Sequence, residues 1–77
     1  MLILDLLEIT ETMVKYKYYP EDSKEYGIIM IDRISKKRKV VKEVTGYGSN
    51  YLAHAFRRIE EYIKNENFQE KDIVAWY

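Results

Sequence analysis

Three features of the sequence predict an α+β fold, with one helix packed on one face of an antiparallel or mixed sheet of about four strands. Residues 10–19 alternate between two chemical sets with period two. A short polar connection separates two further β-prone runs, and a single stretch, 50–65, carries apolar residues at helical spacing. Period two marks a half-buried strand and a 3–4 residue period marks an amphipathic helix. The predicted order is β-β-β-α-β.

In residues 10–19, Thr10, Thr12, Val14, Tyr16 and Tyr18 alternate with Glu11, Met13, Lys15 and Lys17, and β-branched and aromatic types dominate the first set. Pro20-Glu21-Asp22-Ser23 reads as the turn that ends this strand. Residues 26–34 form the second strand, with Ile28-Ile29-Met30-Ile31 apolar on both faces. Ser35-Lys36-Lys37-Arg38 is a polar connection and residues 39–44 return as the third strand, a hairpin without the Asn-Gly turn signature. Thr45-Gly46-Tyr47-Gly48-Ser49 breaks the chain. Ser49 or Asn50 then caps a helix over 50–65 by accepting a free backbone N–H. Leu52, Phe56, Ile59 and Ile63 make its apolar stripe, flanked by Ala55 and Tyr62, while Glu60 and Lys64 pair on the polar side. Asn65-Glu66-Asn67 ends the helix, with Asn in the left-handed position.

After Phe68, residues 73–77 read as a closing strand. A right-handed crossover would set it parallel to the first or the third strand. Residues 2–9 fit either a helix, through Leu2, Leu6, Ile9 and Met13, or a strand, through Leu2, Leu4 and Leu6. The strand, as an extension of the first one, is the preferred reading.

The chain has 77 residues, which is room for one domain over 1–77. Thirteen basic residues balance thirteen acidic ones, so no bulk charge draws it to a polyanion or a membrane. Cysteine is absent, which excludes disulfides, thiol catalysis and Cys-ligated zinc. The apolar start carries Asp5 and Glu8 and lacks a basic leader and a small-residue cleavage site, so no signal peptide is expected. No apolar run approaches the roughly 18 residues that span a bilayer, and the expectation is a soluble cytoplasmic protein.

Catalytic signals are weak. His54, the one histidine, falls opposite the apolar stripe of the helix, beside Arg57, Arg58 and Glu61, as a solvated surface residue. A lone His–Glu pair does not make a metal site. Gly46-Tyr47-Gly48 precedes a helix but lacks the third glycine and the lysine of a phosphate loop, and reads as a permissive turn. Glu60, Glu61, Glu66, Glu70 and Asp72 read as a solvated acidic surface, and no histidine stands near Ser49 or Thr45 to activate them. The expectation is a protein without catalytic residues, cofactor, metal or small-molecule substrate.

Two surface features remain. Arg33, Lys36, Lys37, Arg38, Lys39 and Lys42 place six positive charges and no negative one within residues 33–42. A basic hairpin next to tyrosines is a candidate nucleic-acid contact, because cations neutralise phosphates and aromatic rings stack on bases. The preferred reading is a solvated tip whose lysines guard a sheet edge. The second feature is eight tyrosines, which serve either as interface residues or as half-buried cross-strand pairs. Tyr16, Tyr18, Ile29, Ile31 and Trp76 are the candidate protein interface. One helix covers one face of the sheet, so the apolar second strand needs another cover: residues 2–9, a partner, or a twofold copy packed through Ile29 or Ile31 and the N-terminal leucines.

Tyr51-x-x-His54-Ala55, Asn67-Phe68 and Val74-Ala75-Trp76-Tyr77, with Val14-x-Tyr16-x-Tyr18-Tyr19-Pro20-Glu21 upstream, resemble a family of short uncharacterised bacterial proteins. That resemblance implies a small stand-alone bacterial domain and carries over no site residues. In element order alone, the basic hairpin and following helix are similar to the arm-type DNA-binding domains of phage integrases, from which the closing strand departs. The functional expectation is a non-catalytic interaction module acting through an apolar, tyrosine-rich sheet surface, with a homodimer as one form. The alternative is nucleic-acid binding through the basic hairpin.

Overall fold

The computed structural model of the protein describes residues 1–76. Four strands, β1 (Leu2–Ile9), β2 (Met13–Pro20), β3 (Gly27–Asp32) and β4 (Arg38–Lys42), run as an antiparallel meander. Helix α1 (Ser49–Asn65) crosses one face, and β5 (Lys71–Val74) closes the sheet in the order β4-β3-β2-β1-β5. The protein is thus α+β with one helix, but its sheet has five strands rather than about four.

The extra strand comes from Thr10. Its Oγ1 accepts the N–H of Thr12 at 3.2 Å and of Met13 at 3.1 Å, and its own N–H donates to the Met13 carbonyl. A threonine that looks strand-forming by its branched Cβ acts here through its hydroxyl and makes a turn. Residues 2–9 are therefore a separate strand folded back on β2, not an extension of it.

That extra strand also corrects the pairing of the last one. With the helix returning the chain across the sheet, β5 runs in the same direction as β2 and β4. Its neighbour is β1, however, and the two pair antiparallel with Leu2 opposite Val74 and Asp5 opposite Lys71. A parallel neighbour was expected because β1 was not counted. Trp76 lies beyond β5, and Tyr77, read with the closing strand, lies outside the described residues.

Alternation sorts the side chains. Leu2 and Leu4 of β1, Val14, Tyr16 and Tyr18 of β2, Ile29 and Ile31 of β3 and Val74 of β5 are buried with Ala55, Phe56, Ile59 and Tyr62 of α1. The helix face is turned slightly from the expected stripe: Leu52 and Ile63 are half-buried flanks, while Ala55 and Tyr62 are central. Neither Ser49 nor Asn50 caps the helix; Gly48 holds the cap position in extended backbone, with no side-chain hydrogen bond. At the other end Glu66, not an asparagine, takes the left-handed conformation at φ 52°. The N–H groups of Glu66 and Asn67 then close on the Ile63 and Tyr62 carbonyls, satisfying the free carbonyls of the last turn.

Buried tyrosine hydroxyls tie the connecting segments to the sheet. Tyr18 Oη accepts the Val44 N–H at 3.2 Å. Tyr16 Oη donates to the Gln69 carbonyl. Tyr62 Oη donates to the Asp72 carboxylate, which also takes Arg58 Nη1 at 2.9 Å. Burial first, and then the charge of Asp72, pushes the Tyr16 hydroxyl from 10.0 up to about 12, and burial together with the Asp72 bond raises Tyr62 further. The unfolded chain therefore loses these protons before the folded one does. The contribution of Tyr16 to stability is complete below pH 10 and is lost as pH rises from 10 through 12, and that of Tyr62 is lost over a range that extends higher. In an alkaline titration followed by near-ultraviolet absorbance, Tyr16 and Tyr62 should ionise together with loss of the far-ultraviolet dichroism. Eight tyrosines ionising as one transition near pH 10, with the fold intact, would contradict this burial.

Candidate functional site

Four of the five expected interface residues lie beneath the helix: Tyr16, Ile29 and Ile31 are 0% exposed and Tyr18 is 2% exposed. They have no surface to offer a partner; of the N-terminal leucines assigned to a twofold contact, Leu2 and Leu4 are buried too, Leu6 is half-buried and Leu7 is exposed. The reason is register. The side chains of β3 that share a face with Tyr16 are Ile29 and Ile31, and the helix lies on that face.

Trp76, the fifth, is half-buried in an aromatic cluster at the N-terminal end of α1. His54 stacks on it with ring centroids 4.0 Å apart and planes 13° apart, Tyr51 meets it edge-on at 5.3 Å, and Tyr47 meets Tyr51 at 5.5 Å. Tyr51 Oη donates to Glu21 Oε1 at 2.8 Å, a bond that holds the Glu21 carboxyl below its usual range. His54 is thus a packing residue that secures the segment after β5, not the solvated histidine expected from the helical wheel. Aromatic pairs contribute about 0.5–1.5 kcal/mol beyond area burial, so His54→Ala should lower stability by about 1 kcal/mol and shift the emission of the single tryptophan to the red. Unchanged emission would show that Trp76 is not held by the stack.

The basic hairpin residues divide. Arg38 donates from Nε and Nη2 to both oxygens of Glu60, at 2.8 and 2.7 Å, and lies over the Phe56 ring. Glu60 thus binds Arg38 rather than its expected partner Lys64, and its carboxyl is held low by that bond. Arg33 donates to the Thr10 carbonyl and covers the Phe68 ring at 4.9 Å. Lys36, at φ 65°, donates from Nζ to the Arg33 carbonyl at 2.7 Å. Asp32 organises the turn, its Oδ1 accepting the N–H groups of Ile34 and Ser35 at 2.9 Å. Lys37 sits at the turn, and Lys39 and Lys42 are exposed on β4. The six charges do not make one patch.

The face of the sheet away from the helix gathers what remains. Register sets Lys17 opposite Ile28 and Ile28 opposite Lys42; in the next row Lys15 faces Met30 and Met30 faces Lys39. An apolar row on β3 therefore runs between lysines on β2 and β4, about 10 Å apart at twice the strand spacing. The Lys17 and Lys42 ammonium groups each lie 4.5 Å from the Tyr26 ring centroid, and Tyr19 packs on Tyr26 at 5.6 Å. Met13, Met30, Asp32, Lys37, Arg38 and Lys39 line a hollow of about 370 Å³ at the turn end of this row. Among the described residues Lys15 is paired to Glu8 at 3.7 Å, and Lys17, Lys39 and Lys42 have no ion-pair partner. The opposite flank is mixed, with Ile3, Asp5 and Glu8 on β1 and Lys71 and Ile73 on β5.

Ile28 and Met30 stand out in the sequence as half of a strand apolar on both faces, but the sequence assigns neither them nor Lys15 and Lys17 to a site. The signal was there: once Val14, Tyr16 and Tyr18 are assigned inward, Lys15 and Lys17 must face outward together. Which residues of β4 join them depends on the bulge that shifts its register between Ile28 and Ile29. Among the described residues no group of three His, Cys, Asp or Glu side chains could hold a metal ion, and no helix is long and apolar enough to cross a membrane. Compared with protein-family models, curated proteins and solved structures, the chain matches none.

Proposed function

We propose that the chain is a non-catalytic binding module that takes nucleic acid on the open face of its sheet. The observation that carries this reading is the pair of lysine-flanked rows, Lys17-Ile28-Lys42 and Lys15-Met30-Lys39, on a chain whose net charge is zero. Positive charge is concentrated where no helix covers the sheet, and phosphates are the common biological polyanion that such a surface fits. A second copy of the chain fits less well. In a twofold sandwich of two open faces centred on β2, the middle strand, Lys15 and Lys17 would meet their own copies, and like charges in contact oppose association.

Fluorescence anisotropy with a mixed DNA and RNA panel at about 50 mM salt tests the reading. Binding should weaken steeply with salt, with a log–log slope of about −2 to −3 for three or four neutralised phosphates of a single strand. Replacing Lys17, Lys39 and Lys42 with Ser should abolish it without unfolding the protein, since Lys39 and Lys42 are exposed, Lys17 is half-buried with its ammonium over Tyr26, and surface substitutions cost little stability. No binding to any member of the panel would retire the proposal.

A further inference from the structure

We infer, resting on the nucleic-acid reading above, that the strand bound by this face is single: its bases lie on the apolar row of β3 and its phosphates on the lysines of β2 and β4. A duplex turns its phosphates outward and hides the flat faces of its bases in the stack, so a protein reads it with a helix or ribbon that enters a groove. The open face has no such projection. Its lysines border an apolar floor of Ile28 and Met30, against which a duplex can set its sugar–phosphate exterior and groove edges but not the flat faces of its bases, and the hollow beside Met13 and Met30 holds about 370 Å³. Unpaired bases have exposed faces that gain from leaving water, and single-strand sites pair such a platform with a cationic border.

Charge also fixes where the strand lies. Asp5 and Glu8 sit on β1, opposite Lys17 and Lys15 and on the far side of β2 from the apolar row; Glu8 is paired to Lys15 at 3.7 Å and Asp5 lies between Lys17 and Lys71, so the positive charge of that flank is offset while that beside β3 and β4 is not. Asp32 is the carboxylate at the rim of the hollow; its Oδ1 is engaged by two backbone N–H groups. The strand is therefore confined over β2, β3 and β4. Tyr26 holds the Lys17 and Lys42 ammonium groups over its ring, which orders two of the four cations before any ligand arrives and lowers the entropy lost on binding.

The test compares unstructured single strands of about 12 nucleotides, within the site sizes of small single-strand binders, with the same sequence as a duplex. The single strand should bind at least tenfold tighter. Met30→Thr and Ile28→Thr, which put a strand-favouring β-branched residue at each position, should each weaken single-strand binding about tenfold through lost apolar contact and leave the salt slope unchanged. Lys17→Ser with Lys42→Ser should reduce the slope by about 1.4, and Lys64→Ser, on the helix, should change neither quantity. Thermal melts of every variant separate lost binding from lost fold. Equal or tighter duplex binding would overturn the single-strand inference and leave the nucleic-acid reading standing. Absence of binding to either form would overturn both. A dimer in sedimentation that Met30→Thr dissociates would assign this face to self-association and overturn both as well.

Discussion

Gly27→Ala should remove a large part of the protein's stability. A Cβ on Gly27 would lie 2.1 Å from Tyr18 Cε1, 2.4 Å from Tyr18 Cζ and 2.7 Å from the Lys42 carbonyl oxygen. Gly27 and Tyr18 are direct partners in the β2–β3 ladder, so the tyrosine ring lies over the glycine where a side chain would stand. The ring cannot swing aside cheaply, because it is 2% exposed and its hydroxyl holds the Val44 N–H. The Lys42 carbonyl belongs to the neighbouring strand backbone. Over-packing of this kind costs about 1–3 kcal/mol and occasionally more, while a core of this size supplies only about 3–5 kcal/mol in all. Chemical denaturation read by far-ultraviolet dichroism would show the loss. Gly48→Ser is the control: a Cβ there meets nothing within 4 Å, and the backbone is extended at φ −72°. A serine can supply the missing helix cap, so a gain of a few tenths of a kcal/mol is expected. A wild-type midpoint for Gly27→Ala would mean that β2 and β3 do not pair in this register.

Phe56→Ala should have a comparable effect through the opposite cause, a cavity. Phe56 is 5% exposed at the centre of the helix face, and Arg38 covers the outer side of its ring while bound to Glu60. Truncating a core phenylalanine costs about 3–5 kcal/mol, which includes the cavity that neighbours cannot fill. The arginine makes collapse harder still, since a cation tied to a carboxylate is a poor substitute for a ring against an apolar core. The variant should bind a hydrophobic dye and show no cooperative thermal transition. A cooperative melt within a few degrees of wild type would place another residue at the helix–sheet contact.

The elements were legible in the sequence where one local rule governed them. Alternation in Val14, Tyr16 and Tyr18 marked β2, and the spacing of Phe56 and Ile59 marked α1, because both patterns report one buried face. Boundaries failed where a side chain did something its class average does not. Thr10 used its hydroxyl rather than its branched Cβ, Glu66 took the left-handed position expected of asparagine, and Gly48 capped the helix without a side chain. The candidate site was legible only in part. The basic run from Arg33 to Lys42 is visible in the chain, but two of its arginines are spent on Glu60 and on Thr10 with Phe68, contacts between residues more than 20 positions apart.

A small α+β protein with one helix on a β-sheet follows from the order of the residues alone, because hydrophobic periodicity is a local property and one amphipathic helix covers one face. Which face is covered follows from how the strands pair. Every second residue of a strand lies on the same side, so assigning the helix to the side of Tyr16 sends Ile29 and Ile31 inward and leaves Ile28, Met30, Lys15 and Lys17 outside. Local sequence in β3 cannot make that choice, since its residues are apolar on both sides. The pairing of strands makes it. The same pairing sets the lysines of β2 and β4 on either side of β3, a juxtaposition that depends on register across three strands and is written in no single segment of the chain.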